Sequence, residues 1–145
     1  MITDESVGSL VFFGNQLLLL KYKTLKGDKE YWDFPKGHPN MNERKEDTLL
    51  REVKEETGLN VSILKGFKDE ATYFFRQKGD LVKKTVIFFI SIAKSKDVKI
   101  SSEHYGFQWL TPKEALMIIK HPSSKRILEA AAKFYEKQPR LEKFV

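Results

Sequence analysis

Three glutamates and an arginine, Arg51, Glu52, Glu55 and Glu56, crowd into one short segment of the chain. The segment reads as a helix starting near Arg44 and ending at Gly58. At about 100° per residue, Glu55, Glu52 and Glu56 share an arc of roughly 100°. Leu49, Leu50, Val53 and Thr57 fill the adjoining arc, where a core would sit. Like charges at i,i+3 and i,i+4 repel, by about 4 kcal/mol per ~4 Å contact at an effective dielectric near 20, before screening. The positions one turn before Glu52 and Glu56 offer no cation. Only Arg51 can reach Glu55, and with the less favoured polarity. Such a cluster is expected to face something doubly positive. Mg2+ fits, because it takes oxygen ligands in octahedral geometry and keeps waters and substrate phosphate oxygens. A metal here would neutralise a polyphosphate, polarise a phosphorus and lower the pKa of an attacking water. A backbone carbonyl from the preceding loop would complete the donor set. Arg51 would pair with a nearby carboxylate, Glu43 at the helix start being the candidate, and so fix loop to helix.

The elements around this helix can be read in order. Val7–Phe13 and Gln16–Lys23 are strands joined by a two-residue Gly14-Asn15 hairpin. Residues 24–30 form a polar loop. Tyr31–Phe34 is extended and runs into Pro35, which biases Phe34 away from helix. Lys36–Asn42 reads as irregular. After the helix, Gly58 supplies the stop. Asn60–Gly66, Phe67–Arg76 and Leu81–Ala93 read as strands, with a turn at Gln77-Lys78-Gly79-Asp80. The almost wholly apolar Thr85–Ile92 predicts a central strand buried on both faces. Residues 94–99 form a charged loop, and Gly106–Leu110 is a short strand. Thr111-Pro112-Lys113-Glu114 is a capping box with Pro at the first helical position, opening a helix to about Lys120. Pro122 breaks it. Ser123 or Ser124 is expected to cap a final helix to about Lys137, with Ile127, Leu128, Ala131 and Phe134 or Tyr135 as its apolar stripe. Residues beyond Pro139 are expected to fray. The result is an α+β fold, a mixed sheet flanked by helices.

With 145 residues, a single domain spanning 1–145 is expected. There is no cysteine, which removes disulfides and thiolate metal sites. The acidic, polar opening MITDES lacks a signal-peptide n-region. The longest apolar runs, Leu17–Leu20 and Val86–Ile90, are too short to span a bilayer. A cytoplasmic protein without membrane association is the expectation. The net charge of +6 suits a polyanionic ligand, although a lysine-rich solvated surface is the commoner origin of such a charge.

Gly37, Glu43, Arg51, Glu52, Val53, Glu55, Glu56, Gly58 and Leu59 match the pattern G-x5-E-x7-R-E-U-x-E-E-x-G-U, with U apolar, at every fixed place. Single-residue requirements at roughly 5–8% usage each put a chance match at about 10⁻⁸ or less per start position. The chain therefore resembles the Nudix hydrolases, and resemblance implies an α/β/α sandwich around a mixed sheet, with a loop-helix-loop at the site. It also implies hydrolysis of a nucleoside diphosphate linked to another group. Glu52, Glu55 and Glu56 are the implied metal ligands, with the Gly37 carbonyl as a further one. Glu43 and Gly58 have structural places in the motif.

Outside that box the chain is similar to the asymmetrical diadenosine tetraphosphate hydrolases. The shared pieces are WDFPKGH (Trp32–His38), GFKDEATYFFR (Gly66–Arg76), KKTVIFF (Lys83–Phe89), SEHYGFQWL (Ser102–Leu110) and a closing helical pair beginning TPKEA. The resemblance implies that Lys36, His38 and Lys84 contact the polyphosphate and that Tyr73 and Phe107 stack on adenine. It makes Glu103 a further carboxylate reaching the metal centre. His104 and His121 read as structural. Asn42 stands where the family has glycine, Pro39-Asn40 replaces Val-Glu, and Phe107 replaces a tyrosine. Asn tolerates left-handed backbone geometry, so the turn at Asn42 is expected to survive.

These readings converge on a Mg2+-dependent pyrophosphohydrolase, with Mn2+ as a substitute, that cuts diadenosine tetraphosphate into ATP and AMP. The expected catalytic set is Glu52, Glu103 and Arg51, with Glu103 as base, or Glu52 if that side chain is not coordinated. The partner is then a small nucleotide; no DNA is expected. Two rival activities are removal of pyrophosphate from an RNA 5′ end and hydrolysis of nucleoside triphosphates. A catalytically silent nucleotide sensor is the rival of another class.

Overall fold

The structure, a computed structural model, describes residues 1–24 and 26–139. The elements run β1 (Ile2–Phe13), β2 (Gln16–Lys23), β3 (Glu30–Asp33), β4 (Lys36–Gly37), α1 (Lys45–Thr57), β5 (Val61–Gln77), β6 (Asp80–Ala93), β7 (Phe107–Leu110), α2 (Pro112–Ile118) and α3 (Pro122–Glu136). The sheet order is β3-β2-β1-β6-β5, with β4 added beside β1 and β7 beside β2. β1 and β6 pair in parallel from Ile2↔Val82 to Phe12↔Ile92, and every other ladder is antiparallel. This is the mixed α+β sandwich expected from the sequence.

The apolar runs decide where the layers go. All four leucines of Leu17–Leu20 are fully buried, because strand residues alternate and both faces of β2 are covered. Leu17 and Leu19 join Leu10, Phe12, Phe88 and Ile90 under α2 and α3, where Ile127, Leu128 and Ala131 close the core. Leu18 and Leu20 join Val7, Val11, Ile87 and Phe89 under α1, which contributes Leu49 and Val53. Each such side chain contributes about 1.5–3 kcal/mol of burial free energy. A Ser9–Ser91 hydroxyl pair at 2.8 Å satisfies two polar groups buried in the α1-side core.

β1 begins at Ile2 rather than Val7 because its first residues pair with Val82–Val86 of β6. Two expected strands after α1 are one, β5, with a register shift between Leu64 and Asp69. The segment read as irregular after Pro35 includes β4, which pairs Lys36 with Gly8 and Gly37 with Val7. α1 matches its expected bounds, capped at Gly58 with φ 75°. α2 opens with the expected capping box at Thr111 and Glu114. α3 differs at its start. Pro122 lies in its first turn, where a missing N–H costs nothing, and His121 is the cap, accepting from the Ser123 backbone N–H. Ser124 is instead buried and bonded to Asp33. The expected fraying beyond Pro139 lies outside the described residues.

Candidate active site

Arg51 sits at the hub of the acidic helix. Its Nε and Nη2 each donate to Glu43, both at 2.9 Å. Nη2 also reaches the His38 carbonyl at 2.9 Å. Nη1 contacts Glu52 at 2.8 Å and Glu55 at 3.2 Å. Glu52, which looked cationless in sequence, thus shares one guanidinium with Glu43 and Glu55. Planar forked donors suit this bidentate role, which an ammonium cannot fill. Glu43 also accepts from the Asn40 N–H and the Thr48 hydroxyl. Led by the Arg51 bond, these contacts hold its carboxyl down to about 2. Asn42 just before it adopts φ 61°, as its left-handed tolerance allows.

Gly37 and Glu52 meet across the gap between β4 and α1. A Cβ on Gly37 would lie 2.0 Å from Glu52 Cδ and 2.1 Å from Oε2, so only glycine lets this carboxylate rest against the β4 backbone. Glu56, placed in the open acidic arc by helical spacing, is buried at 6% exposure. His104 Nε2 bonds one of its oxygens at 2.9 Å, while the other, Oε2, is buried without a partner among the described residues. Burial pushes the Glu56 carboxyl up, against the pull of the His104 bond and with help from Glu52 and Glu103 nearby. Glu103 itself is exposed, and among the described residues it makes no hydrogen bond or ion pair.

On the other side of β4 the charge changes sign. Lys84 is buried, and its Nζ donates to Asp4 at 2.8 Å and Ser6 at 2.6 Å, with His38 Nε2 at 3.3 Å. His38 lies 3.1 Å from Asp4. Burial alone would raise the Asp4 carboxyl, but the Lys84 and His38 bonds outweigh it and lower it. Lys36 lies 3.4 Å from the buried Asp33 carboxylate, which also accepts from the Phe34 N–H and Ser124 hydroxyl. Burial would lower Lys36, but Asp33 and the flanking tyrosines Tyr73 and Tyr31 raise it.

Lys36 lines a cleft of about 620 Å3, whose walls include Tyr31, Trp32, Tyr73 and His121. The Tyr73 and His121 rings face each other at 5.8 Å, tilted by 55°. Tyr73 pairs across the ladder with Lys84, so cleft and cationic cluster adjoin. Phe107 does not join them. It pairs with Leu20, whose side chain belongs to the α1-side core, whereas Tyr73 packs against the opposite core. Cross-strand partners share a face, so Phe107 and Tyr73 stand on opposite sides of the sheet. The ring opposite Tyr73 is His121, which sequence reading left as structural. Asp4 was also missed, lying in an opening stretch that reads only as acidic.

A model of the NUDIX domain matches residues 3–131. This chain belongs to the Nudix hydrolase family. Among relatives, the asymmetrical bis(5'-nucleosyl)-tetraphosphatase of Mus musculus is 37% identical over 109 residues, covering 72% of this chain and 71% of that protein. An 8-oxo-dGTP diphosphatase of Buchnera aphidicola is 29% identical over 96 residues, covering 66% and 68%. The solved Ap4A hydrolase binary complex from C. elegans matches 93% of this Nudix chain and 99% of its own, with TM-score 0.78 and 22% identity, a likeness of fold. No helix among the described residues of this Nudix hydrolase is long and apolar enough to cross a membrane.

Nudix hydrolases use divalent metal cations. Among the described residues, no three acidic or imidazole side chains are gathered as a ready cage. Glu52 and Glu55 are turned onto Arg51 instead. Even so, the donor set fits a hard cation. It offers all-oxygen ligands, a backbone that approaches Glu52 closely at Gly37, and a buried, partnerless Oε2 on Glu56. An orphaned buried carboxylate oxygen calls for a partner, and a cation would supply it.

Proposed function

We propose that this Nudix hydrolase cuts dinucleoside polyphosphates, diadenosine tetraphosphate above all, asymmetrically into ATP and AMP. The observation that carries the reading is the placement of β4. Successive strand residues face opposite ways. Lys36 therefore faces the aromatic cleft, while Gly37 faces the carboxylates of α1. A base stacked on the cleft wall formed by Tyr73 and His121 would gain about 1–3 kcal/mol, largely regardless of its identity. Its phosphate chain would then pass Lys36, Lys84 and His38 toward Glu52 and Glu56. The mouse relative, named for this activity, supports the same reading.

Glu52, Glu55, Glu56 and the Gly37 carbonyl would hold Mg2+, with Mn2+ as a substitute. The bound cation would neutralise phosphate charge and acidify the attacking water. The chain's own residues do the rest. Lys36 and Lys84 act as point charges for phosphate oxygens. Arg51 orders Glu43, Glu52 and Glu55 and ties the His38 carbonyl to the helix. Glu103, exposed and free of ion pairs among the described residues, takes the proton from water as general base. Displacement at a pyrophosphate needs positioning and charge stabilisation more than covalent help.

Product analysis with diadenosine tetraphosphate tests the reading, with ATP and AMP expected in equal amounts. Two ADP, or no cleavage, overturns it. The Buchnera relative favours a second reading, nucleoside triphosphate hydrolysis. A panel including nucleoside triphosphates and 5′-triphosphorylated RNA separates the two. Higher kcat/KM on a triphosphate than on the dinucleotide decides for the second.

A further inference from the structure

The loop of residues 94–106 is fastened to the C-terminal turn of α1. The Lys99 N–H donates to the Thr57 carbonyl at 2.9 Å, and the Ser101 N–H to the Glu56 carbonyl at 3.0 Å. These bonds satisfy carbonyls that a helix end leaves without partners. The loop then sends one side chain back into the helix. The His104 ring is buried, its Nε2 lies 2.9 Å from Glu56 Oε1, and the Tyr22 ring meets it edge-on at 4.9 Å. Among the described residues, His104 Nδ1 is buried without a partner, as is Glu56 Oε2.

That pattern of used and unused atoms sets the direction of the bond. A proton on Nδ1 would be a buried donor with nothing to accept it, so the ring carries its proton on Nε2 and donates it to Glu56. One carboxylate oxygen is thereby committed to the protein, and the other is buried with no partner among the described residues. A histidine present only to fill space would not need its one donor aimed at a carboxylate. Nor would a buried carboxylate keep one oxygen unpaired among the described residues unless something filled that oxygen's coordination.

We propose that His104 is a positioning residue for the cation site. Its Nε2–H clamps Glu56 Oε1 so that Oε2 is presented to a divalent cation, and the same bond seats the loop that carries the adjacent Glu103. Cation affinity and loop order are then linked through one hydrogen bond. This rests on the reading of Glu56 as a ligand. Indirect partners of ligands typically change metal affinity by about 10–100-fold when lost.

The test is Mn2+ affinity by electron paramagnetic resonance of free Mn2+, on the full chain without substrate, for wild type, His104→Leu, His104→Gln and Glu56→Gln. Leucine fills the same space without a donor, whereas the glutamine amide nitrogen replaces Nε2. His104→Leu is expected to bind Mn2+ about tenfold or more weakly, with His104→Gln within about threefold of wild type. Exchange at the Lys99 and Ser101 amides should quicken in His104→Leu alone. If His104→Leu does not fold, His104→Asn gives the same comparison, because its shorter amide falls short of Glu56. The proposal is overturned if His104→Leu binds within about twofold of wild type, or if glutamine does no better than leucine. With Glu56→Gln weakened and His104→Leu unchanged, the clamp fails and the ligand reading stands. With both unchanged, both fail.

Discussion

Arg51 grips Glu43 with two hydrogen bonds of 2.9 Å each, joining the entry loop of α1 to its second turn. The pair predicts a specific acid response. Glu43 titrates near its ordinary 4.5 when unfolded and about 2 when folded, so the folded state holds its proton less tightly. The stabilisation is fully present above pH 4.5 and is lost as pH falls toward 2. Urea unfolding at stepped pH checks this. Wild type should lose stability across that window more steeply than Glu43→Gln, which has no carboxyl there to protonate.

Gly37→Ala separates site from fold. The atoms nearest an added Cβ belong to the Glu52 side chain, which can swing away, so the fold should survive with a melting temperature near wild type. Glu52 would be driven from β4, and turnover should fall by about two orders of magnitude, the scale seen when one positioned charge-stabilising group is lost. Thermal melts and initial rates on one preparation check both halves. A fully active Gly37→Ala would mean that the Glu52 carboxylate has no need to rest on β4.

The two aromatic candidates make opposite predictions. Tyr73→Ala and His121→Ala should each raise the KM for diadenosine tetraphosphate by about 5- to 150-fold, the loss of a stacking face worth ~1–3 kcal/mol. Phe107→Ala, on the other face of the sheet, should leave KM nearly unchanged. His121→Asn is the control for capping, since asparagine can still accept from the Ser123 N–H while losing the ring. Steady-state kinetics on the four variants decides which rings touch the base.

Much of this was legible in the chain because the signals were local. Gly58 stopped α1 where expected, and helical spacing placed Leu49, Val53 and Thr57 on its buried face, although Leu50, read with them, is exposed. Thr85–Ile92 declared a strand covered on both sides. What escaped notice was set by distant partners. Glu56 is drawn inward by His104, 48 positions away, and nothing in helical spacing marks that. The face of Phe107 is dictated by β2. Its parity with Trp109, which packs on the α1-side core, was the available clue. Asp4 gained meaning only when parallel pairing set it opposite Lys84.

That last contact carries its own prediction. Lys84 is nearly buried, and Asp4, about one-third exposed, is its counter-ion. Asp4→Asn leaves a buried ammonium with a neutral partner, which should cost about 1–2 kcal/mol, less than a fully buried pair because solvent screens Asp4. Chemical denaturation at pH 7 should show this loss. A double variant with Lys84→Met should recover most of it, since both charges are then gone.

The parallel ladder between β1 and β6 also bears on how the chain is made. Ile2 leaves the ribosome with its partner Val82 still to be translated. At roughly 5–20 residues per second, the central strand waits for about 4–16 s beside a hairpin that covers only one of its edges. Nascent β1 is thus an open edge of apolar backbone during synthesis, and we expect slower elongation between β2 and β6 to increase aggregation without altering the finished enzyme. Placing β6 ahead of β1 by circular permutation should remove that sensitivity, as measured by the soluble fraction at matched translation rates.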